Sequence, residues 1–204
     1  MTFAPEDSGR PAPTHDPATN DGAVGYDRPP MSAKGTPAID AVRRAGIDHR
    51  LHEYETEGPA TVRRHGAAGA PESYGEAAAA AIGVPPERVF KTLIASVDGR
   101  LVAAVVPVDG ELDLKRLAKA FGGRRAVMAE AAEAERAAGS VVGGISPLGL
   151  RRPLPLAIDD SAAAHPTIYV SAGRRGLQLE LAPADLVRLT SARTAPLARR
   201  AFED

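Results

Sequence analysis

Val89-Phe90-Lys91-Thr92-Leu93-Ile94-Ala95-Ser96-Val97-Asp98-Gly99-Arg100-Leu101-Val102-Ala103-Ala104-Val105-Val106-Pro107-Val108 decides the architecture. Two apolar runs, Val89–Val97 and Leu101–Val108, flank Asp98-Gly99-Arg100, and an Asp-Gly pair supplies the positive φ angles that a tight hairpin turn needs. An antiparallel pair therefore stands near the middle of the chain. Upstream, Thr36 and Pro37 open a helix with Ala41, Val42 and Ala45 on its apolar stripe and Gly46 as its stop. Ile47 to Tyr54 alternates as a half-buried strand. Ser73-Tyr74-Gly75-Glu76 is a capping box that opens an alanine-rich helix ended by Gly83.

Downstream of the hairpin, Asp113 caps a basic helix over Leu114 to Phe121, Arg125 to Met128 forms a short strand, and Ala129 to Ala138 forms a helix that stops at Gly139. Strands follow at Leu154 to Ile158, Thr167 to Ser171 and Leu177 to Leu181, the last two joined by Gly173-Arg174-Arg175-Gly176. Pro183 to Leu189 is the final helix, and Ser191 to Asp204 is expected to fray or pack loosely. No regular βαβ alternation runs through this order, so the fold class is α+β: a single domain with a mixed, mostly antiparallel sheet flanked by helices.

Residues 1–33 are rich in Pro, Gly, Asp and Thr without hydrophobic periodicity, and are expected to be disordered. Met31, directly before the first periodic element, is a candidate alternative start. The expected organisation is an N-terminal extension over 1–33, one domain over 34–191 and a tail over 192–204. Residues 55–72, with Gly58-Pro59 and Gly69-Ala70-Pro71, form a longer loop.

The chain of 204 residues carries a net charge of -1 and is 44% hydrophobic, which suits a globular domain and gives no overall field for nucleic acid or anionic membrane. Any RNA contact must come from local clusters such as Lys115, Arg116, Lys119, Arg124 and Arg125, or Arg174 and Arg175, which read equally as solvated surface charge. With no cysteine in the sequence, disulfides, thiolate metal sites and a cysteine nucleophile are excluded. Neither a membrane-length apolar run nor a signal-peptide pattern is present, so no membrane partner and a cytoplasmic location are expected.

Catalytic motifs are scarce. There is no phosphate-binding loop, dinucleotide fingerprint, zinc-binding His-Glu-x-x-His or Gly-x-Ser-x-Gly elbow. His49 and His52 lie three apart on a strand and face opposite sides, so neither a metal nor another cofactor is expected. Two features remain. Lys91 interrupts an apolar strand, either as an edge side chain reaching water or as a cation projecting into a cleft toward a phosphate or carbonyl oxygen. Gly143-Gly144-Ile145-Ser146-Pro147 is either a turn or a set of backbone donors held rigid by the proline. Ser146 lacks a nucleophile elbow and suits a hydrogen-bonding role. Tyr54 and Tyr74 read as packing or as contact residues.

Residues 36–190 resemble the YbaK/EbsC family of aminoacyl-tRNA deacylases, related to the editing domain of bacterial prolyl-tRNA synthetases. The likeness rests on Thr36-Pro37-Ala38, His52-Glu53-Tyr54-Glu55, Phe90-Lys91-Thr92-Leu93, Leu112-Asp113-Leu114-Lys115, Val142 through Gly149, Thr167-Ile168-Tyr169-Val170-Ser171 and Arg175-Gly176-Leu177. The loop at 55–72 looks like an insertion relative to that family. The resemblance implies a barrel-like sheet and removal of cysteine from mischarged proline tRNA by a free-standing protein, with prolyl-tRNA synthetase as a further partner. It implies cleavage by the substrate's own thiol. Carried over by position, Lys91 places the tRNA 3′ end and Gly144 is the backbone donor near the ester. Tyr54, Tyr74, Thr92, Gly143, Ile145, Ser146, Ser171 and Gln178 bind substrate. Two departures stand out: Gln178 replaces a residue that is often acidic, and Tyr74 replaces a phenylalanine. The first leaves open activity on Ala-tRNA(Pro) or another small amino acid through water; loss of catalysis, leaving a tRNA- or synthetase-binding module, is the remaining alternative.

Overall fold

A computed structural model describes Met1, residues 35–55 and residues 73–199. The chain divides into two units, Met1–Ala33 and Lys34–Asp204, and every helix and strand named below belongs to the second. The expected disorder of 1–33, the start at Met31 and most of the 55–72 loop lie outside the described residues.

The hairpin forms as its sequence dictates. Strand β2 (Val89–Val97) pairs with β3 (Arg100–Pro107) from Phe90↔Pro107 to Val97↔Arg100. The turn needs only Asp98 and Gly99, at φ 48 and φ 82, so Arg100 belongs to the strand. The Asp98 carboxylate accepts the backbone N–H groups of Arg124 at 2.8 Å and Arg125 at 3.0 Å, which hold its pKa below the ordinary value. That clasp sets the start of β5 (Ala126–Met128), which pairs antiparallel with the end of β2.

Around the hairpin, β1 (His49–Glu53), β6 (Leu156–Asp159), β7 (Ile168–Ser171), β8 (Leu177–Leu181) and β9 (Arg193–Ala195) complete one sheet in the order β1-β8-β7-β2-β3-β6-β9, with β5 beside β2. A second, two-stranded sheet joins β4 (Glu111–Leu112) to β10 (Ala198–Arg199). Pairs β1–β8, β7–β8, β2–β3 and β2–β5 are antiparallel, whereas β2–β7, β3–β6 and β6–β9 are parallel. The domain is α+β with a mixed sheet.

Helices α1 (Pro37–Arg44), α4 (Ala131–Ala138) and α5 (Pro183–Thr190) cover one face, packing Ile39, Ala134 and Leu186 into a core with Phe90, Ile94, Val105 and Leu179. The opposite face of β2 and β3 meets α3 (Leu114–Ala120) through Leu117, and α2 (Tyr74–Ile82) through Ala79 against Val89 and Tyr169. Two-sided burial explains the nearly continuous apolar run of β2. Phe90 alone, 2% exposed, contributes on the order of 1.5–3 kcal/mol by leaving water.

Local signals place the helix ends. Thr36 Oγ1 accepts the Ile39 N–H at 3.3 Å, Ser73 Oγ accepts that of Glu76 at 3.2 Å, and Asp113 Oδ1 accepts those of Lys115 and Arg116. One expectation fails. The described part of the segment from Ser191 to Asp204, residues 191–199, does not fray: β9 joins the sheet, Leu197 is fully buried, and Asp159 Oδ2 accepts the N–H groups of Leu197 and Ala198 at 2.7 Å each, while residues 200–204 lie outside the described residues. Its partners lie far away in sequence, beyond the reach of local composition.

Candidate functional site

A break in the sheet creates the site. Strand β2 pairs with β7 only at Val89↔Tyr169 and Phe90↔Val170, and with β5 only from Ala95↔Met128 onward. Between them, Lys91–Ile94 has no strand on that edge. A cavity of about 320 Å³ opens there, with Tyr74 from the α2 layer and Ala134 from the α4 layer both in its wall. Side chains from opposite faces of a sheet can share a cavity only where the sheet is interrupted.

Lys91 enters this cavity from the α2 side of β2. Its Nζ donates to the Val108 carbonyl at 3.4 Å. Burial pushes its pKa below 10.5, opposed by the negative charges of Glu76, Glu111 and Asp109. The ammonium is thus half-desolvated, with one long hydrogen bond in place of a close ion pair, and available to a developing negative charge. Glu76 has a buried Oε2 without a hydrogen-bond partner.

The glycine segment forms the facing wall. Gly143 lines the cavity at φ 83, and a β-carbon there would fall 2.8 Å from Cγ of the Tyr74 ring, so only glycine fits beside that tyrosine. Arg175 fixes the arrangement: its guanidinium lies 4.5 Å from the centre of the Tyr74 ring, and its Nε and Nη2 donate to the Val142 carbonyl at 2.9 and 2.7 Å. The expectation that Gly144 is the backbone donor needs correcting, because its N–H closes a turn onto the Val141 carbonyl at 2.8 Å. Gly143 and Ile145, its neighbours, line the cavity while Gly144 packs against the backbone of Arg174 and Arg175. Ser146 is buried outside the lining, where its Oγ accepts the Leu148 N–H at 3.2 Å.

Thr92, Ser171 and Gln178 also line the cavity. Ser171 Oγ accepts the Gly173 N–H at 3.3 Å, and Gln178 Nε2 lies 3.5 Å from the Tyr54 hydroxyl, which places Tyr54 behind Gln178. Thr92 Oγ1 and Gln178 Oε1 are buried without a partner. Two unspent polar atoms in one cavity wall point to a ligand, since such atoms are destabilising when left empty. The candidate residues therefore converge, except that Gly144, Ser146 and Tyr54 stand behind the wall.

The structure adds Met128, Ala129 and Ala134 to the lining and Arg175 behind it. Met128 ends β5, Ala129 follows it and Ala134 lies on α4; apolar residues in such places read as packing, so nothing local distinguishes the three. Arg175 belongs to the Arg175-Gly176-Leu177 motif, but its bond to Val142 spans 33 residues. Of the histidines, His49 Nδ1 meets the Ile47 carbonyl at 2.7 Å and His52 Nε2 meets Glu180 at 2.8 Å. No group of three or more metal-ligating side chains occurs among the described residues, and no described helix is long and apolar enough to cross a membrane.

The chain is 39% identical over 124 residues to EbsC of Enterococcus faecalis, named as a candidate Cys-tRNA(Pro)/Cys-tRNA(Cys) deacylase, covering 60% of this chain and 75% of that one. It is 38% identical over 76 residues to the proline–tRNA ligase of Moorella thermoacetica, covering 37% of this chain and 13% of the ligase. Among solved structures, hypothetical protein APE2540 superposes with a TM-score of 0.68 at 25% identity, covering 80% of this chain and 100% of that one. A candidate trans-editing enzyme for prolyl-tRNA synthetase shares the fold, with a TM-score of 0.62 at 23% identity over 81% of this chain and 99% of that one. The model of the aminoacyl-tRNA editing domain matches residues 71–189, the span that holds β2, the glycine segment and β8, and the chain belongs to that family.

Proposed function

We propose that the protein is a trans-editing deacylase that clears Cys-tRNA(Pro), with the thiol of the mischarged cysteine as the attacking group. One observation carries this reading: Lys91 is the only charged side chain among the described residues lining the cavity, and none of the hydroxyls there is paired with a base. Such a site orients an ester and stabilises charge but has no activated nucleophile of its own. The cysteine sulfur, having released its proton to solvent, forms a bond to its own ester carbonyl carbon. The carbon–oxygen bond to the ribose breaks, the ribose oxygen takes up a proton, and a thiolactone leaves with the tRNA restored. The Lys91 ammonium stabilises the carbonyl oxygen as its charge grows, and the glycine segment closes the cavity opposite it.

Rates of deacylation of Cys-, Ala- and Ser-tRNA(Pro), with and without prolyl-tRNA synthetase, test the reading. Cysteine is expected to be removed at least about tenfold faster than alanine, the equivalent of about 1.4 kcal/mol of barrier. Equal rates on cysteine and alanine would instead require an activated water and sink the thiol route.

A further inference from the structure

The break in β2 offers more than space. Strand residues direct both main-chain groups to one edge, alternating along the strand. The Val108 N–H bond to the Val89 carbonyl at 2.9 Å shows that odd-numbered residues of β2 face β3, and the Ala129 N–H bond to the Ile94 carbonyl at 3.1 Å shows that even-numbered ones face the other edge. Thr92 therefore turns its N–H and C=O into the interval between β7 and β5. On β7, the Ala172 N–H bond to the Leu177 carbonyl at 3.1 Å marks residue 172 as facing β8, so the Ser171 carbonyl faces β2. Had the β2–β7 ladder continued, Thr92 N–H would have met that carbonyl. It stops at Phe90↔Val170 instead.

An aminoacyl ester is, in hydrogen-bonding terms, a single strand residue: its amino group and its carbonyl oxygen project to the same side. We propose, building on the deacylase reading, that the aminoacyl group is bound as a one-residue strand in this interval, its ester carbonyl accepting from Thr92 N–H and its ammonium donating to the main-chain carbonyls of Thr92 and Ser171. Main-chain recognition accounts for an aminoacyl site whose described lining contains no carboxylate. It leaves Gln178 Oε1 and Thr92 Oγ1 for the amino-acid side chain or the ribose. It also aligns the ester with fixed geometry, because β7 and β5 hold β2 on the two sides of the break and β3 holds its other edge throughout.

The test uses the full-length protein and 3′-deoxy-3′-(L-cysteinylamino)adenosine, in which an amide replaces the labile ester. Amide hydrogen exchange by NMR reads the main chain directly. Thr92 N–H is expected to exchange at least about tenfold more slowly with the ligand bound, whereas Phe90 and Ser96, inside the β7 and β5 ladders, stay as they were. A backbone amide-to-ester replacement at Thr92 is expected to weaken binding by about tenfold or more. Binding that leaves Thr92 exchange unchanged overturns this inference alone, with the deacylase reading intact. Absence of binding at millimolar ligand also overturns it, and if no charged tRNA is hydrolysed either, the deacylase reading falls as well.

Discussion

Lys91 sits where charge is costly to hold. Its pKa is lowered chiefly by desolvation, so between its folded pKa and 10.5 the unfolded chain binds more protons than the folded one, and stability rises with pH across that window. Lys91→Met removes the burden and keeps the stem. The variant is expected to melt higher than the wild type at pH 7, with the difference shrinking as pH rises through the folded pKa toward 10.5, while deacylation falls at least about 100-fold. Thermal melts from pH 7 to pH 10 decide it; a Met variant less stable at pH 7 would mean that burial of the ammonium carries no such penalty. Arg175 touches Val142 and Tyr74 rather than the cavity itself, so under the proposed function it acts as a positioning residue. Lysine cannot donate two coplanar hydrogen bonds to one carbonyl while its cationic group lies over the ring. Arg175→Lys is therefore expected to lower kcat about tenfold with little change in KM or Tm, and a loss confined to KM would place Arg175 on the substrate instead.

At the scale of elements, α2 can approach the turn that follows β3 because Gly75 has no side chain: a β-carbon there would lie 2.2 Å from Cγ1 of Val108. Gly75→Ala is expected to cost about 1–3 kcal/mol by overpacking. Combined with Val108→Ala, the loss should be smaller than the sum of the single losses by at least about 0.5 kcal/mol, measured by denaturant unfolding. Strict additivity would mean that the two do not meet. Elements of this kind are legible wherever the sequence punctuates itself. Thr36-Pro37, Ser73 with Glu76, Asp98-Gly99 and Asp113 each act within a few residues, and each end lies where that chemistry puts it. The site is legible by the same logic in part. Lys91 shows as a cation in an apolar run, and the glycines show as a backbone device. Which amide of that device is free depends on the turn bond to Val141, and that depends on three-dimensional closure.

For the molecule as a whole, the parallel pairings are out of reach of the sequence, since β2–β7 and β3–β6 join strands whose partners are chosen by packing rather than by a turn. The C-terminal segment shows the same limit. Asp159 in β6 gathers Leu197 and Ala198 by two charge-assisted bonds, and thereby ties the end of the described chain to the core. Asp159→Ala is expected to cost about 2–4 kcal/mol, a drop in Tm on the order of 10 °C, because two buried-side donors lose their acceptor. Limited proteolysis should then cut first within residues 193–199. Unchanged cutting there, with a lowered Tm, would separate Asp159's stabilising effect from the anchoring.

Strand β1 finds its partner, β8, only after most of the domain has been made: His52 and Glu180 are 128 residues apart. A ribosome adding about 5–20 residues per second leaves β1 waiting for roughly 6–26 s with both edges open. The composition of that strand answers the wait. His49-Arg50-Leu51-His52-Glu53 carries one apolar residue among charged and ionisable ones, so the nascent segment stays solvated and resists edge-to-edge association until the far end of the domain emerges to cover it.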